Sequence, residues 1–228
     1  MHHITEHSDS EPFNLEHLIV GSLATNCWIV PLEEALAFRY CAIIDPGADA
    51  AAIIARLERR NLRPRYILLT HGHFDHIAAL PDLVETFRGI EIAIHRDDAA
   101  YLGPDAYQVH RVSFTAAAGN TALVDAIWKP MPSPTVLVSE GNTLGPFQVI
   151  HLPGHSAGSV GFYDEQGGRL FSGDTLFKNG IGRTDLPGGD EAHMRESLKR
   201  LFAMDGAIRM FPGHGPASTL KKEKRHYI

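Results

Sequence analysis

The sequence predicts an α/β fold built as two stacked layers, and three observations support that prediction. Strand-like and helical runs alternate through both halves of the chain. Four strand-like runs each lead into a histidine or aspartate beside glycine, so that a buried strand repeatedly delivers a polar group at its C-terminal end. With 228 residues, 44% of them apolar, the chain can bury one large core, and a single domain spanning 1–228 is expected.

Taken in order, Val20 to Pro31 and Phe38 to Ile44 read as strands, with Cys27 and Cys41 inside them as buried free thiols. Asp45-Pro46-Gly47 turns the chain into a helix from Asp49 to Arg60, on which Ile53, Ile54 and Leu57 form an apolar stripe at helical spacing. A strand over 65–70 follows. Pro81 opens a short helix reaching Phe87, where its missing N–H has no partner to lose, and Ile90 to Ile94 is a further strand. Residues 96–140 predict a helix-and-loop insertion and no second core. Phe147 to Leu152, Arg169 to Phe171 and Ala207 to Phe211 are the later strands. The helix from Glu191 to Met204 carries Met194, Leu198, Leu201 and Phe202 at i, i+4, i+7 and i+8.

His71-Gly72-His73-Phe74-Asp75-His76 places three imidazoles and a carboxylate in six positions, directly after the apolar Tyr66-Ile67-Leu68-Leu69. In extended backbone alternate side chains point the same way, so His71 and His73 can grip one ion. Asp75 and His76 face elsewhere and suit a second ion nearby. Imidazole and carboxylate are donors that Zn²⁺ accepts in open, water-carrying sites. A polar surface turn is the plain alternative, but a solvated loop has no reason to follow a buried strand with this density of ligands. His155 in Pro153-Gly154-His155-Ser156, Asp174 in Ser172-Gly173-Asp174 and His214 in Pro212-Gly213-His214-Gly215 complete the constellation. Gly180 to Asp190 is dense in turn formers and reads as a loop beside the site.

Together with Asp45-Pro46-Gly47 and Gly182-Arg183-Thr184-Asp185, these motifs resemble the metallo-β-lactamase superfamily over nearly the whole chain, most closely its compact glyoxalase II-like hydrolases. The resemblance implies an αβ/βα sandwich of two stacked mixed sheets, helices on the outer faces and the site at one edge. It implies that His71, His73 and His155 hold a first metal, that Asp75, His76 and His214 hold a second, and that Asp174 bridges them. Two Zn²⁺ ions are expected, with iron or manganese admissible. Residues 96–140 flank the active site in similar enzymes, which makes Tyr101, Tyr107, His110 and Trp128 candidate substrate contacts, although aromatic residues also pack such insertions down. Arg183 could orient an aspartate or a substrate carboxylate, or pin its own glycine-rich loop. His95 and His151 read as structural or supporting groups, and His2, His3, His7 and His17 as surface residues.

Charge limits the partners. Lys plus Arg number 21 against 27 Asp plus Glu, a net charge of −6, with no basic stripe to follow a nucleic acid. Lys221-Lys222-Glu223-Lys224-Arg225 reads as a solvated tail. There is no apolar run of about 18 residues and no signal-peptide pattern at the start, so a cytoplasmic enzyme with a small-molecule substrate and no membrane partner is expected, its oligomeric state open.

The expected activity is that of a dinuclear-metal hydrolase on a thioester of the S-lactoylglutathione type, through a hydroxide shared by the two ions. Asp75 would accept a hydrogen bond from that hydroxide and Asp174 would set the intermetal distance. Two alternatives stand beside it. A persulfide dioxygenase would use one iron on the His71, His155 and Asp174 positions, and a lactonase would use the same dinuclear site. In lactamases resembling this family the Asp174 position is cysteine or serine, and His73 departs from the glutamate of di-iron oxygen reductases. The sequence runs only 14 residues past His214 and its His226-Tyr227-Ile228 does not match the Asn-Pro-Phe ending of the compact type, so neither that ending nor the helical C-terminal domain of two-domain glyoxalase II is expected, and the thiol-carrying half of the substrate is the less determined part.

Overall fold

The computed structural model describes residues 15–34 and 39–227, so the expectations for His2, His3, His7 and Phe38 lie outside the described residues. One sheet runs β1 (Glu16–Val20), β2 (Thr25–Glu34), β3 (Arg39–Ile44), β4 (Leu62–Leu68), β5 (Glu91–His95) and β6 (Val136–Val138) in that spatial order. Its first two pairings are antiparallel and the other three parallel. Between these strands lie α1 (Ala50–Arg59), α2 (Phe74–Ile77), α3 (Leu80–Thr86), a 3-10 turn at Arg96–Tyr101, α4 (Ala106–Ala118) and α5 (Ala122–Ile127). The second sheet contains β7 (Thr143–Leu144), β8 (Phe147–His151), β9 (Val160–Asp164) and β10 (Arg169–Gly173), and a small hairpin of β11 (Leu176–Phe177) and β12 (Gly180–Ile181) follows. After α6 (Glu191–Ala203) come β13 (Arg209–Pro212), β14 (Ser218–Thr219) and α7 (Leu220–Lys224), giving the order β14-β13-β10-β9-β8-β7.

The period-two alternation of the strands builds the layers. Cys27, Ile29, Cys41, Ile43, Ile67 and Ile92 point one way and bury against Ile53 and Leu57 of α1 and Leu80 and Leu83 of α3. Their neighbours Trp28, Val30, Ala42, Ile44, Leu68 and Ala93 point the other way, onto Phe147, Val149, Phe162 and Phe171 of the second sheet. The outer face of that sheet, with Ile150, Leu170 and Met210, is covered by Met194, Leu198, Leu201 and Phe202, the stripe expected on α6. The result is an αβ/βα sandwich. Cys27 and Cys41 are buried free thiols, and burial pushes the Cys41 pKa up to about 12. Among the described residues no helix is long and apolar enough to cross a membrane.

Strand direction decides where the polar groups gather. β3, β4 and β5 are parallel, while β8 and β10 share a direction because both pair antiparallel with β9, and β13 is parallel to β10. Their C-terminal ends therefore open on the loops carrying Asp45, His71, Asp98, His155, Asp174 and His214.

Several elements differ from expectation. The first strand is split at the Gly21–Ala24 turn into β1 and β2, and β4 begins at Leu62, running through Pro64. Strand β9, with glycine at its second position, lacks the apolar run that marks the others. Segment 96–140 contributes a strand to the first sheet, β6, besides its helices and loops. The basic run 221–225 is no free tail, because Lys221 to Lys224 lie in α7 and Arg225 caps it. Glu223 is buried there, accepting from the Asn179 N–H at 2.7 Å and from the Ser218 hydroxyl, while Lys224 donates to the Phe202 carbonyl at 2.9 Å.

The insertion packs itself down with aromatic rings. Trp128 stacks on Phe74 at 6.1 Å, and His110 lies between them, 5.2 Å from Phe74 and 5.6 Å from Trp128. Its Nε2 donates to the Tyr101 carbonyl at 3.0 Å. His110 is 0% exposed, so the expectation that it touches substrate is corrected: it is a core residue. Burial pushes its pKa down to about 4. The unfolded chain thus binds this proton more readily than the folded one, and stability should fall as pH drops from 6.5 toward 4. Urea denaturation across that window should show a slope lower by up to ~1.4 kcal/mol per pH unit in His110→Gln than in the wild type. Equal slopes would mean that His110 is protonated in the folded protein. In the inter-sheet core, Phe162→Ala should cost about 3–5 kcal/mol through the cavity it leaves. A loss below about 1 kcal/mol would show that the two sheets can close over the gap.

Candidate metal centre

The loop after β4 is not extended throughout. His73 is extended, with φ −65° and ψ 146°, but it caps α2, so Asp75 and His76 sit on a helical turn and not on an alternating strand. That turn swings them to the far side of the cluster. His71, His73 and His155 form one group and Asp75, His76 and His214 another, with the potential ligand atoms of each within 4.8 Å of one another. In the first, His73 Nδ1 lies 2.8 Å from His155 Nε2. In the second, His214 Nε2 and His76 Nε2 lie 3.2 and 3.5 Å from Asp75 Oδ2. Asp174 stands between the groups, its Oδ1 3.4 Å from His76 Nε2 and its Oδ2 3.6 Å from His155 Nε2 and 3.5 Å from His214 Nε2.

The cluster demands a positive partner. Among the described residues, five buried side-chain polar atoms lack a hydrogen-bond partner, and four belong here: His71 Nε2, His73 Nε2, His76 Nε2 and Asp174 Oδ1. A buried polar atom left unpaired costs about 1–3 kcal/mol, so such a concentration is unstable without a ligand that takes lone pairs. The electrostatics agree. Burial holds His71 well below the usual imidazole range and His73 at about 3, which keeps both neutral and ready to coordinate. Burial acts the same way on His76, yet Asp174, Asp75 and Asp45 together outweigh it and raise that pKa well above the usual value. Burial also opposes ionisation of Asp75 and Asp174, and the surrounding histidines reverse its effect. All seven side chains are donors suited to borderline-soft divalent cations.

Three of the imidazoles, and the loop of a fourth, are held by groups behind them. Asp45 accepts from Thr70 N at 2.8 Å, Thr70 Oγ1 at 2.7 Å and His76 Nδ1 at 3.0 Å, which turns His76 Nε2 toward the centre. Thr70 Oγ1 in turn meets His71 Nδ1 at 3.1 Å. His155 Nδ1 donates to the Arg183 carbonyl at 2.8 Å. The loop bearing His214 is stitched to β2: Asn26 donates through Nδ2 to the carbonyls of Pro212 and Gly215, and its own N–H meets the Gly213 carbonyl at 2.7 Å. Gly213 is required by the close approach, since a Cβ there would run into Asp174 Oδ1 and the His76 ring.

Other expectations fare differently. The Arg183 guanidinium pairs with Asp185 through two contacts of 2.7 Å and is half exposed, so it pins its own loop. Tyr107 donates to Asp125 at 2.8 Å and lies 5.0 Å from the Trp128 ring, on the insertion's outer side. Tyr101 is buried with its ring 5.7 Å from His73 and walls the loop at Gly72. His95 and His151 stack at 4.1 Å, and His151 Nε2 donates to the Ala157 carbonyl at 2.9 Å. His17 is half-buried, not a surface residue, stacking on Trp28 and meeting Asn26 Oδ1 at 2.8 Å. Asn26, Thr70 and Asp98 went unread, because nothing local distinguishes a supporting Asn, Thr or Asp from one in a turn.

Comparison with known proteins follows the same line. The metallo-beta-lactamase superfamily profile matches residues 22–214. Hydroxyacylglutathione hydrolase GloC of Haemophilus influenzae is 33% identical over 217 residues, covering 93% of this chain and 95% of that protein. The structure of TTHA1623 in a di-iron-bound form superposes with a TM-score of 0.78 at 37% identity, over 92% of this chain and 98% of that one. The structure of BLEG-1 B3 metallo-beta-lactamase gives 0.77 at 33% identity, over 93% and 97%. With the profile spanning most of its length and relatives above 30% identity along nearly all of it, the chain belongs to the metallo-β-lactamase superfamily.

Proposed function

We propose that the protein is a dinuclear-metal hydrolase acting on thioesters of the S-lactoylglutathione type. The observation that carries this reading is Asp174, whose two oxygens face two complete sets of ligands at once. His71, His73 and His155 would hold one ion, Asp75, His76 and His214 the other, and Asp174 both. When bound, two such cations supply a water acidified to near neutrality and a Lewis acid for a carbonyl oxygen. Zinc suits the donors, and iron or manganese would be admitted by the same atoms.

The chain's own residues do the rest. Asp75 has the more open side chain of the two aspartates at the centre, 25% exposed against 10% for Asp174, and is oriented by Thr25 Oγ1 at 3.3 Å. It is placed to take the proton of the attacking water on its carboxylate as the C–O bond forms. The C–S bond then breaks, and the thiolate leaves with a proton returned from the site, so that thioester and water give one acid and one thiol. Asp45, Thr70 and the Arg183 carbonyl keep three imidazoles aimed while this happens.

The thioester class is supported by the 33% identity to a hydroxyacylglutathione hydrolase. The equal identity to a B3 metallo-beta-lactamase makes β-lactams, with lactones, the competing substrates. A persulfide dioxygenase needs only one ion, and the completeness of the Asp75, His76 and His214 group speaks for two.

Elemental analysis of metal-replete protein should therefore find close to two ions per chain. Asp174→Ala should lose at least one of them and lower kcat/KM by at least about 100-fold. Retention of both ions with full activity would remove Asp174 from the centre. Turnover of S-lactoylglutathione in H₂¹⁸O should place one heavy oxygen in the acid, without uptake of dioxygen. Activity on β-lactams or lactones with none on thioesters would reassign the substrate, and oxygen uptake matched to persulfide loss would reassign the reaction.

A further inference from the structure

We infer that Asp98 is a positioning residue for the first metal group, fixing His73 against His155 while leaving the second group to other supports; this rests on the dinuclear reading above. Asp98 comes from the 3-10 turn that follows β5, the strand beside β4. Its carboxylate is 1% exposed and collects three donors from two separate loops. Oδ2 accepts from Gly72 N at 2.9 Å and from Ser156 Oγ at 2.7 Å, and Oδ1 accepts from Gly158 N at 2.7 Å. Gly72 adjoins both His71 and His73, and Ser156 adjoins His155. One buried anion thus ties the backbone next to His73 to the loop that presents His155, 82 residues later, where Nδ1 and Nε2 of those rings stand 2.8 Å apart.

Two features make aspartate specific here. All three neighbours donate, so an amide in place of the carboxylate would turn an NH₂ toward at least one donor. Hydrogen bonds to a buried charge are the stronger kind, which suits a clamp between loops from different sheets. The His155 loop approaches Asp98 so closely that a Cβ at Gly158 would collide with it, which makes glycine the residue that lets this N–H reach the carboxylate. Supports of the second group run elsewhere: Asp45 to His76, Thr25 to Asp75 and Asn26 to the His214 loop. Asp98 touches none of these three.

The test reads zinc affinity in each group separately. His214→Ala leaves the first group whole and His73→Ala leaves the second, and Zn²⁺ binding to each is measured by competition with a chromophoric chelator. Adding Asp98→Asn should raise the zinc Kd about 10–100-fold in the His214→Ala protein and less than about twofold in the His73→Ala protein. Equal weakening in both would make Asp98 a general stabiliser, and no weakening in either would give it no part in the site; each result overturns the inference. Should Asp98→Asn fail to fold, Ser156→Ala removes one donor of three and should produce the same selectivity at roughly threefold. Zinc stoichiometry in the wild-type chain judges the dinuclear reading by itself: one ion per chain would sink that reading, while the shift on the first group would still decide Asp98.

Discussion

The organising constraint is the burial of Asp45 and Asp174, with half-buried Asp75 beside them, among five histidines with too few hydrogen bonds to go round. A protein interior tolerates a carboxylate only beside compensating charge or donors. Asp45 is fully satisfied by Thr70 and His76, whereas Asp174 keeps one oxygen without any partner. That imbalance distinguishes the supporting aspartate from the one at the centre. It also explains the opposed behaviour of the histidines, with His71 and His73 held neutral by burial while His76 is driven toward the charged form by three carboxylates.

The layers serve this constraint. Each loop at the centre leaves the C-terminal end of a strand whose two faces are buried, against helices on one side and the opposite sheet on the other. Strands anchored in this way cannot slide by one residue without turning every side chain to the wrong layer. The seven side chains of the centre therefore inherit the precision of the core. Where a loop leaves the sheet, that precision is carried on by hydrogen bonds across it: Asp45 and Thr70 behind α2, Asn26 behind His214, Asp98 between the loops of β4 and β8.

The insertion illustrates why function is hard to read from aromatic residues. His110 and Trp128 pack on Phe74, the residue between His73 and Asp75, while Tyr101 lies against His73 and His110, so the three press on this loop from behind. Their proximity to the site is real, but their rings are spent on packing. Arg183 is similar: its backbone carbonyl orients His155 while its guanidinium is occupied by Asp185.

The sequence by itself determined the seven polar side chains at strand ends, the alternation that builds both sheets, and the stripes of α1 and α6. These are local properties, written in residue type and period. It also marked Gly213 beside His214 and placed Gly182 in a loop beside the site, although the reason for both glycines, the closeness of Asp174, is spatial. The resemblance implied how the other six divide around Asp174, but the means are tertiary: α2 redirects Asp75 and His76, and His155 and His214 arrive from the other sheet. Only the tertiary structure assigned His110 to the core, α7 to the basic run, and Asp98 and Asn26 to the loops they hold. A supporting hydrogen bond between residues 60 or 186 positions apart, as from Gly158 to Asp98 or from Asn26 to Pro212, leaves no periodic trace in the chain. It exists only once the sheets have stacked.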